Sequence, residues 1–145
     1  MSDEPVHARN IAQDQMVELG IHGLFDVTIH LNAIHWPRSW TSLALGKFYS
    51  GLYRASKSSL RTLTPLDEIK KIPFVVPMNF NKTHFYYGSD GYPVPVRERI
   101  IGSEVSSANL AVEVISRSNQ LAFLPERVAR DAVAQGLIRK IEVKE

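Results

Sequence analysis

The last third of the chain alternates between short apolar runs and amphipathic stretches, and this alternation limits the possible folds more than any other feature. Residues 100–105, 120–124 and 137–143 are predicted as strands from their apolar, β-prone composition. Residues 107–116 and 125–135 are predicted as helices from their 3.6-residue apolar spacing. Strand, helix, strand, helix, strand is the order that typically builds a mainly parallel sheet with helices packed on it. The sequence therefore predicts an α/β fold.

Local signals agree with these boundaries. The first of the two helices has one apolar face, formed by Leu110, Ala111, Val114 and Ile115. Pro125 stands where a helix tolerates proline, at its first position, and Gly136 stands where a left-handed C-terminal cap favours glycine. The run at 120–124 is almost wholly apolar, as is typical of a strand that is covered on both faces.

The earlier part of the chain contains further candidate elements. Residues 6–10 are predicted as a short strand and residues 13–22 as a helix that ends before Gly23. Apolar and polar residues alternate at 25–29, which indicates a strand, and β-prone bulk over 40–54 indicates an extended stretch. Residues 74–76 are predicted as a short buried strand.

Composition excludes several classes of protein. Hydrophobic residues make up 44% and charged residues 22% of the 145, so the chain can bury a core. There are no cysteines, which excludes disulfides and thiolate chemistry. A formal net charge of +2 is too balanced to indicate a nucleic-acid surface. No apolar run approaches the ~20 residues that span a bilayer, and the acidic start is not a secretion signal. We therefore expect a soluble, cytoplasmic protein.

The histidines, serines and glycines form no recognised catalytic or metal-binding motif. The five histidines show neither His-Glu-x-x-His nor another ligand spacing, so no metal site is expected. No Gly-x-Ser-x-Gly turn and no phosphate-binding glycine loop occurs. The sequence thus gives no reason to expect an enzyme or a bound cofactor.

Two stretches resemble a known family in the right order along the chain. Residues 105–128 (VSSANLAVEVISRSNQLAFLPERV) and 135–139 (QGLIR) give a helix, a strand closing in Leu-Pro, a helix, and a Gly-Leu turn into a last strand. Upstream, residues 23–29 (GLFDVTI) give glycine, an apolar pair, aspartate and a strand. Together they resemble the C-terminal effector-binding domain of LysR-type transcriptional regulators. The turn at 117–120, which is usually rich in glycine in that family, departs from the pattern.

The resemblance implies a two-lobed α/β fold like that of type II periplasmic binding proteins. Residues 1–47 and 126–145 would form the first lobe, and residues 48–125 the second. The first strand and helix of the family domain have no counterpart here, so the domain is expected to be N-terminally truncated, with an incomplete first lobe. The family's DNA-binding domain is also without a counterpart, so DNA would be contacted only through a domain absent from this chain.

The resemblance also implies a small, often anionic, metabolite as effector, bound in the cleft between the lobes. Candidate contacts follow the ends of predicted strands or the start of a helix, where α/β proteins bind ligands. These candidates are His30, Asn32, Met78, Asn79, Phe80 and Ser106. Ser106 is expected to cap the helix at 107–116, and a plain cap is as good an explanation for it as ligand contact. For Asn79 we favour ligand contact.

Two functions are therefore predicted. The first is a ligand-sensing and oligomerising domain of a LysR-type regulator, which modulates transcription without catalysis of its own. The alternative is a stand-alone binding module that associates with itself through its incomplete sheet, by strand addition.

Overall fold

The chain divides into two compact units, residues 1–45 and residues 46–145. The computed structural model describes residues 5–9, 11, 13–30, 34–80 and 83–144.

The described residues of the first unit form one helix and an aromatic cluster. Helix α1 spans Gln13–Ile21, as predicted. Gly20 on this helix lies against Phe25, Trp36 and Trp40, so closely that an added Cβ would come within 3.0–3.2 Å of all three rings. The rings of Trp36 and Trp40 are stacked, with centroids 4.8 Å apart. Glycine is therefore the residue that allows the helix to pack on these aromatic rings.

The strands predicted at 6–10 and 25–29 are absent from the described residues. Residues 5–9 and 25–29 have no strand structure, and Val6, Val27 and Ile29 are exposed. Alternating apolar residues give a stable strand only when a partner strand and an apolar surface are available, and the described part of this unit offers neither.

The second unit holds all the strands that the structure describes. Its elements are β1 (Ser50–Ala55), β2 (Leu63–Pro65), α2 (Leu66–Ile69), β3 (Phe74–Phe80), β4 (Phe85–Tyr87), a 3-10 turn (Val96–Glu98), β5 (Ile101–Val105), α3 (Ala108–Ser116), β6 (Leu121–Pro125), α4 (Glu126–Ala134) and β7 (Ile138–Lys144). The predicted boundaries in the last third are confirmed to within one residue. Gly136 has φ of +69°, which confirms the left-handed cap, whereas Pro125 is the N-cap of α4 instead of its first residue.

The seven strands form one mixed sheet in the order β2-β7-β1-β6-β3-β4, with β5 also pairing with β3. Strand β3 runs parallel to β5 and β6, and β2 runs parallel to β7. Strand β1, however, is antiparallel to both of its neighbours, β6 and β7. The α/β class is confirmed, but the sheet is mixed and not mainly parallel, because β1 lies between two strands of the βαβαβ segment.

The core lies on both faces of the sheet. On one face α3 and α4 cover Tyr53, Ala122 and Leu124. On the other face Leu52 and Leu121 pack with Ile69 of α2 and with further apolar side chains. Neighbours in one strand point to opposite faces, so β1 and β6 supply both clusters. The prediction that 120–124 is covered on both faces is thus confirmed.

Two features differ from the expected organisation. Of the extended stretch predicted at 40–54, only residues 50–54 are paired in the sheet, as part of β1. Helix α4 and strand β7 belong to the unit of residues 46–145, since β7 pairs with β1 and β2. The resemblance had placed residues 126–145 together with residues 1–47.

Candidate functional site

The parallel pairing of β3 with β5 stops at the carboxyl end of β5. The two strands pair from Phe74↔Ile101 to Pro77↔Val105, so Met78 and Ser106 each follow the last residue of this pairing. The chain then enters α3 after β5 and continues into the β4 hairpin after β3. We call this end of the sheet the β3–β5 edge. Three of the six predicted site residues, Met78, Asn79 and Phe80, continue β3 beyond this pairing, and a fourth, Ser106, follows β5.

Met78–Phe80 is part of a strand, which corrects the prediction of a loop after residue 76. Strand β3 continues to Phe80 and pairs antiparallel with β4, with Asn79 opposite Tyr86 and Phe80 opposite Phe85. The rings of Phe80 and Phe85 lie 4.8 Å apart and are exposed. The sequence signal for a strand ended at Pro77, but this proline is accommodated because β3 exchanges partners there, from β5 to β4.

The amide of Asn79 is held against Gly88. An added Cβ at Gly88 would lie 2.7 Å from Asn79 Nδ2, and the Gly88 N–H donates to the Pro77 carbonyl at 2.9 Å. A larger residue at 88 would therefore displace the Asn79 side chain. Asn79 itself is half-buried, so its amide has a defined position without being removed from solvent.

Ser106 does not cap α3, which corrects the prediction. The N-cap is Ser107, whose Oγ accepts a hydrogen bond from the Leu110 N–H at 3.3 Å. Ser106 is an exposed bend residue between β5 and the cap. Helix α3 has no acidic residue in its first turn, so its first N–H groups keep their attraction for a negative charge.

A tyrosine–glutamate pair at this edge was not foreseen from the sequence. Tyr87 Oη donates to Glu104 Oε1 at 2.8 Å, which links β4 to β5. This hydrogen bond raises the pKa of the Tyr87 hydroxyl, with smaller contributions from desolvation and from the Glu104 charge. Seventeen positions separate the two residues, and only the pairing of β3 with both strands brings them together. The β3–β5 edge thus carries a carboxylate as well as the N-terminus of α3, where Ser107 caps one of the first N–H groups.

His30 lies in the first unit and makes a structural contact there. Its Nε2 accepts a hydrogen bond from Trp36 Nε1 at 3.2 Å, beside the aromatic cluster. Asn32 lies outside the described residues.

One concave region in the unit of residues 46–145 is too small for a metabolite. Its lining includes Phe74, Tyr92 and Arg99, and its volume of about 10 Å³ suits one water molecule. Asp90 accepts two hydrogen bonds from Arg99, at 2.6 and 2.8 Å, and both side chains are almost fully buried. The Arg99 guanidinium also lies over the rings of Phe74 and Tyr92, at 5.3 and 4.9 Å. The two buried charges of this region therefore form a structural ion pair.

Other kinds of site have less support. Within the described ranges, no three histidine, aspartate or glutamate side chains are grouped as a metal site would require. No helix in the described part of the chain is long and apolar enough to cross a membrane.

No family model matches the sequence, and no curated protein is significantly similar to it.

Proposed function

We propose that the chain is an effector-binding domain of a LysR-type transcriptional regulator, with the two-lobed fold of that family. Its ligand would bind at the β3–β5 edge. The observation that supports this proposal is the parallel pairing of β3 with β5, beyond which β3 continues through Asn79 and β5 leads through Ser106 into α3. Ligands of α/β proteins bind outside the carboxyl ends of parallel strands, where strand ends and helix N-termini converge.

The polar groups at the edge favour a particular chemistry in the ligand. The first N–H groups of α3 suit a carboxylate, because the N-terminus of a helix attracts negative charge. Glu104 would repel a second anionic group and would accept a hydrogen bond from an ammonium or hydroxyl group. Asn79 can both donate and accept. The ligand class that fits is a small amino acid or hydroxy acid.

Sensing would follow from a difference in affinity between two arrangements of the regulator. A ligand shifts such an equilibrium only as far as it binds one arrangement more tightly than the other. In a LysR-type regulator the DNA contacts belong to a separate winged helix-turn-helix. The effector domain then acts on DNA through oligomer geometry.

The direct test is a thermal-shift screen of amino acids and small hydroxy acids, followed by calorimetric titration of any stabilising compound. We expect Asn79→Ala to weaken binding about tenfold, the effect of losing one hydrogen bond to a charged group. The matched control is Asn119→Ala, at an exposed position in the turn after α3, which should bind as wild type. The proposal fails if no compound raises the melting temperature, or if the two variants bind equally.

A second candidate function is self-association, as a stand-alone binding module. The observation that favours it is an exposed, unpaired stretch of chain immediately before β1.

A further inference from the structure

Residues 41–49 precede β1 as an exposed segment with unused pairing capacity. All nine residues are exposed, and the segment contains no helix, strand, turn or bend. Within the part of the chain that the structure describes, no backbone group of residues 41–48 bonds to another backbone group. Leu43 and Leu45 are 81% and 74% exposed. The segment thus exposes apolar side chains, together with backbone groups that have no backbone partner in the described part of the chain.

The order of residues gives the segment two different faces. On an extended backbone successive side chains alternate, so Leu43 and Leu45 share one face, while Ser42 and Ala44 share the other. Lys47 is the only charged residue between 41 and 49. A partner strand therefore needs apolar side chains at two alternate positions and no positive charge opposite Lys47.

We propose that residues 41–47 of two copies of this chain pair as antiparallel strands about a twofold axis at Ala44, which makes a homodimer. In this register each Leu43 lies opposite Leu45 of the partner subunit, and each Lys47 lies opposite the partner's Thr41. The four leucines then form one cross-strand cluster, which stabilises strand pairs. Backbone hydrogen bonds supply affinity that is independent of side chains, as in other strand additions.

Alternative registers are less favourable. A shift by one residue would place the leucines of the two copies on opposite faces, because the side-chain period of a strand is two. An axis at Leu45 would place Leu43 opposite a lysine, and an axis at Lys47 would place two positive charges directly opposite each other. Only the axis at Ala44 pairs both leucines with leucines.

The occupant is a second copy because the segment is complementary to its own sequence in this register. Residues 41–47 are therefore the surface through which the chain would self-associate, and this pairing does not depend on effector binding. Seven paired residues bury less than a standard interface of roughly 1,600 Å², so the dimer should be concentration-dependent and not permanent.

The register can be tested by engineered disulfides, because the natural chain has no cysteine. Ala44→Cys places both thiols at the axis, where paired Cα atoms lie about 4.5–5.5 Å apart, within the reach of a disulfide. Ser42→Cys is the matched control, since its two copies would be on the order of 13 Å apart at ~3.4 Å per residue. We expect Ala44→Cys to form the covalent dimer at least tenfold faster under mild oxidation, and urea to remove the difference.

Equal rates for the two cysteine variants, or no covalent dimer from Ala44→Cys, would overturn the proposed register. Light scattering over a concentration series provides the second readout. Ala44→Pro removes a backbone donor at the axis and should abolish the dimer, whereas Val27→Ser, at another exposed apolar position, should leave it unchanged. A monomeric wild type at every concentration, or a dimer that persists in Ala44→Pro, would contradict the proposal. Since Asn79→Ala probes ligand binding alone, failure of either proposal is recognised separately.

Discussion

At the scale of single residues, the most demanding interaction is the buried pair of Asp90 and Arg99. The side chains are 9% and 2% exposed, and the pair makes two hydrogen bonds. The Tyr92 N–H also donates to Asp90 Oδ1, and Arg99 Nε donates to the Val94 carbonyl. Burial of two charges is costly in itself, so the loss of one partner leaves the other charge buried without compensation.

We therefore expect Asp90→Asn to lower the free energy of unfolding by about 3 kcal/mol, as measured by urea denaturation. The matched control is Glu113→Gln, which breaks the exposed pair of Glu113 with Arg117 and should change stability by less than about 0.5 kcal/mol. A loss in Asp90→Asn as small as that in the control would show that the pair is solvated in solution.

At the scale of secondary-structure elements, two neighbouring serines at the start of α3 differ in their contribution to stability. Ser107→Ala removes the side-chain acceptor of the Leu110 N–H and should lower the free energy of unfolding by about 1 kcal/mol. Ser106→Ala should have almost no effect on stability, because Ser106 is not the cap. Chemical denaturation of both variants tests the assignment, and a larger loss in Ser106→Ala would restore the cap that the sequence predicted.

The elements predicted well from sequence are those whose signals are local. The periodicity of 107–116, Pro125 and Gly136 all lie within or beside the elements they define, and the structure agrees with them to within one residue. The extension of β3 to Phe80 was missed because it depends on pairing with β4, which no local pattern reveals.

The strand predicted at 25–29 is absent for a related reason: a strand needs a partner strand, and a local pattern does not show whether one is present. Its alternation is regular, yet it has no partner among the described residues. At the β3–β5 edge, Asn79 and Ser106 can be predicted because each follows a predicted strand in the sequence. The contact of Tyr87 with Glu104 cannot be predicted in this way, because it arises only from the strand order.

At the scale of the whole molecule, the two units differ in the interactions that stabilise each of them internally. The unit of residues 46–145 has a sheet with apolar clusters on both faces, and the unit of residues 1–45 has one helix and an aromatic cluster. A unit of about 45 residues buries little apolar surface and is marginal on its own. We therefore expect the first unit to unfold at lower urea concentration.

Both tryptophans of the chain, Trp36 and Trp40, lie in the first unit, so tryptophan fluorescence reports on that unit alone. Far-UV circular dichroism is dominated by the strands and helices of residues 46–145. The fluorescence transition should come first in a urea titration that follows both signals. Coincident transitions would instead indicate one cooperative structure.

Binding of a small acid at the β3–β5 edge can be tested by amide chemical-shift mapping. The ¹⁵N-labelled chain would be titrated with the amino acids and hydroxy acids of the thermal-shift panel. We expect saturable shifts concentrated in residues 78–80 and 106–109, which are lost in Asn79→Ala and kept in Asn119→Ala. Saturable shifts centred on any other surface, or no shifts with any compound, would contradict it.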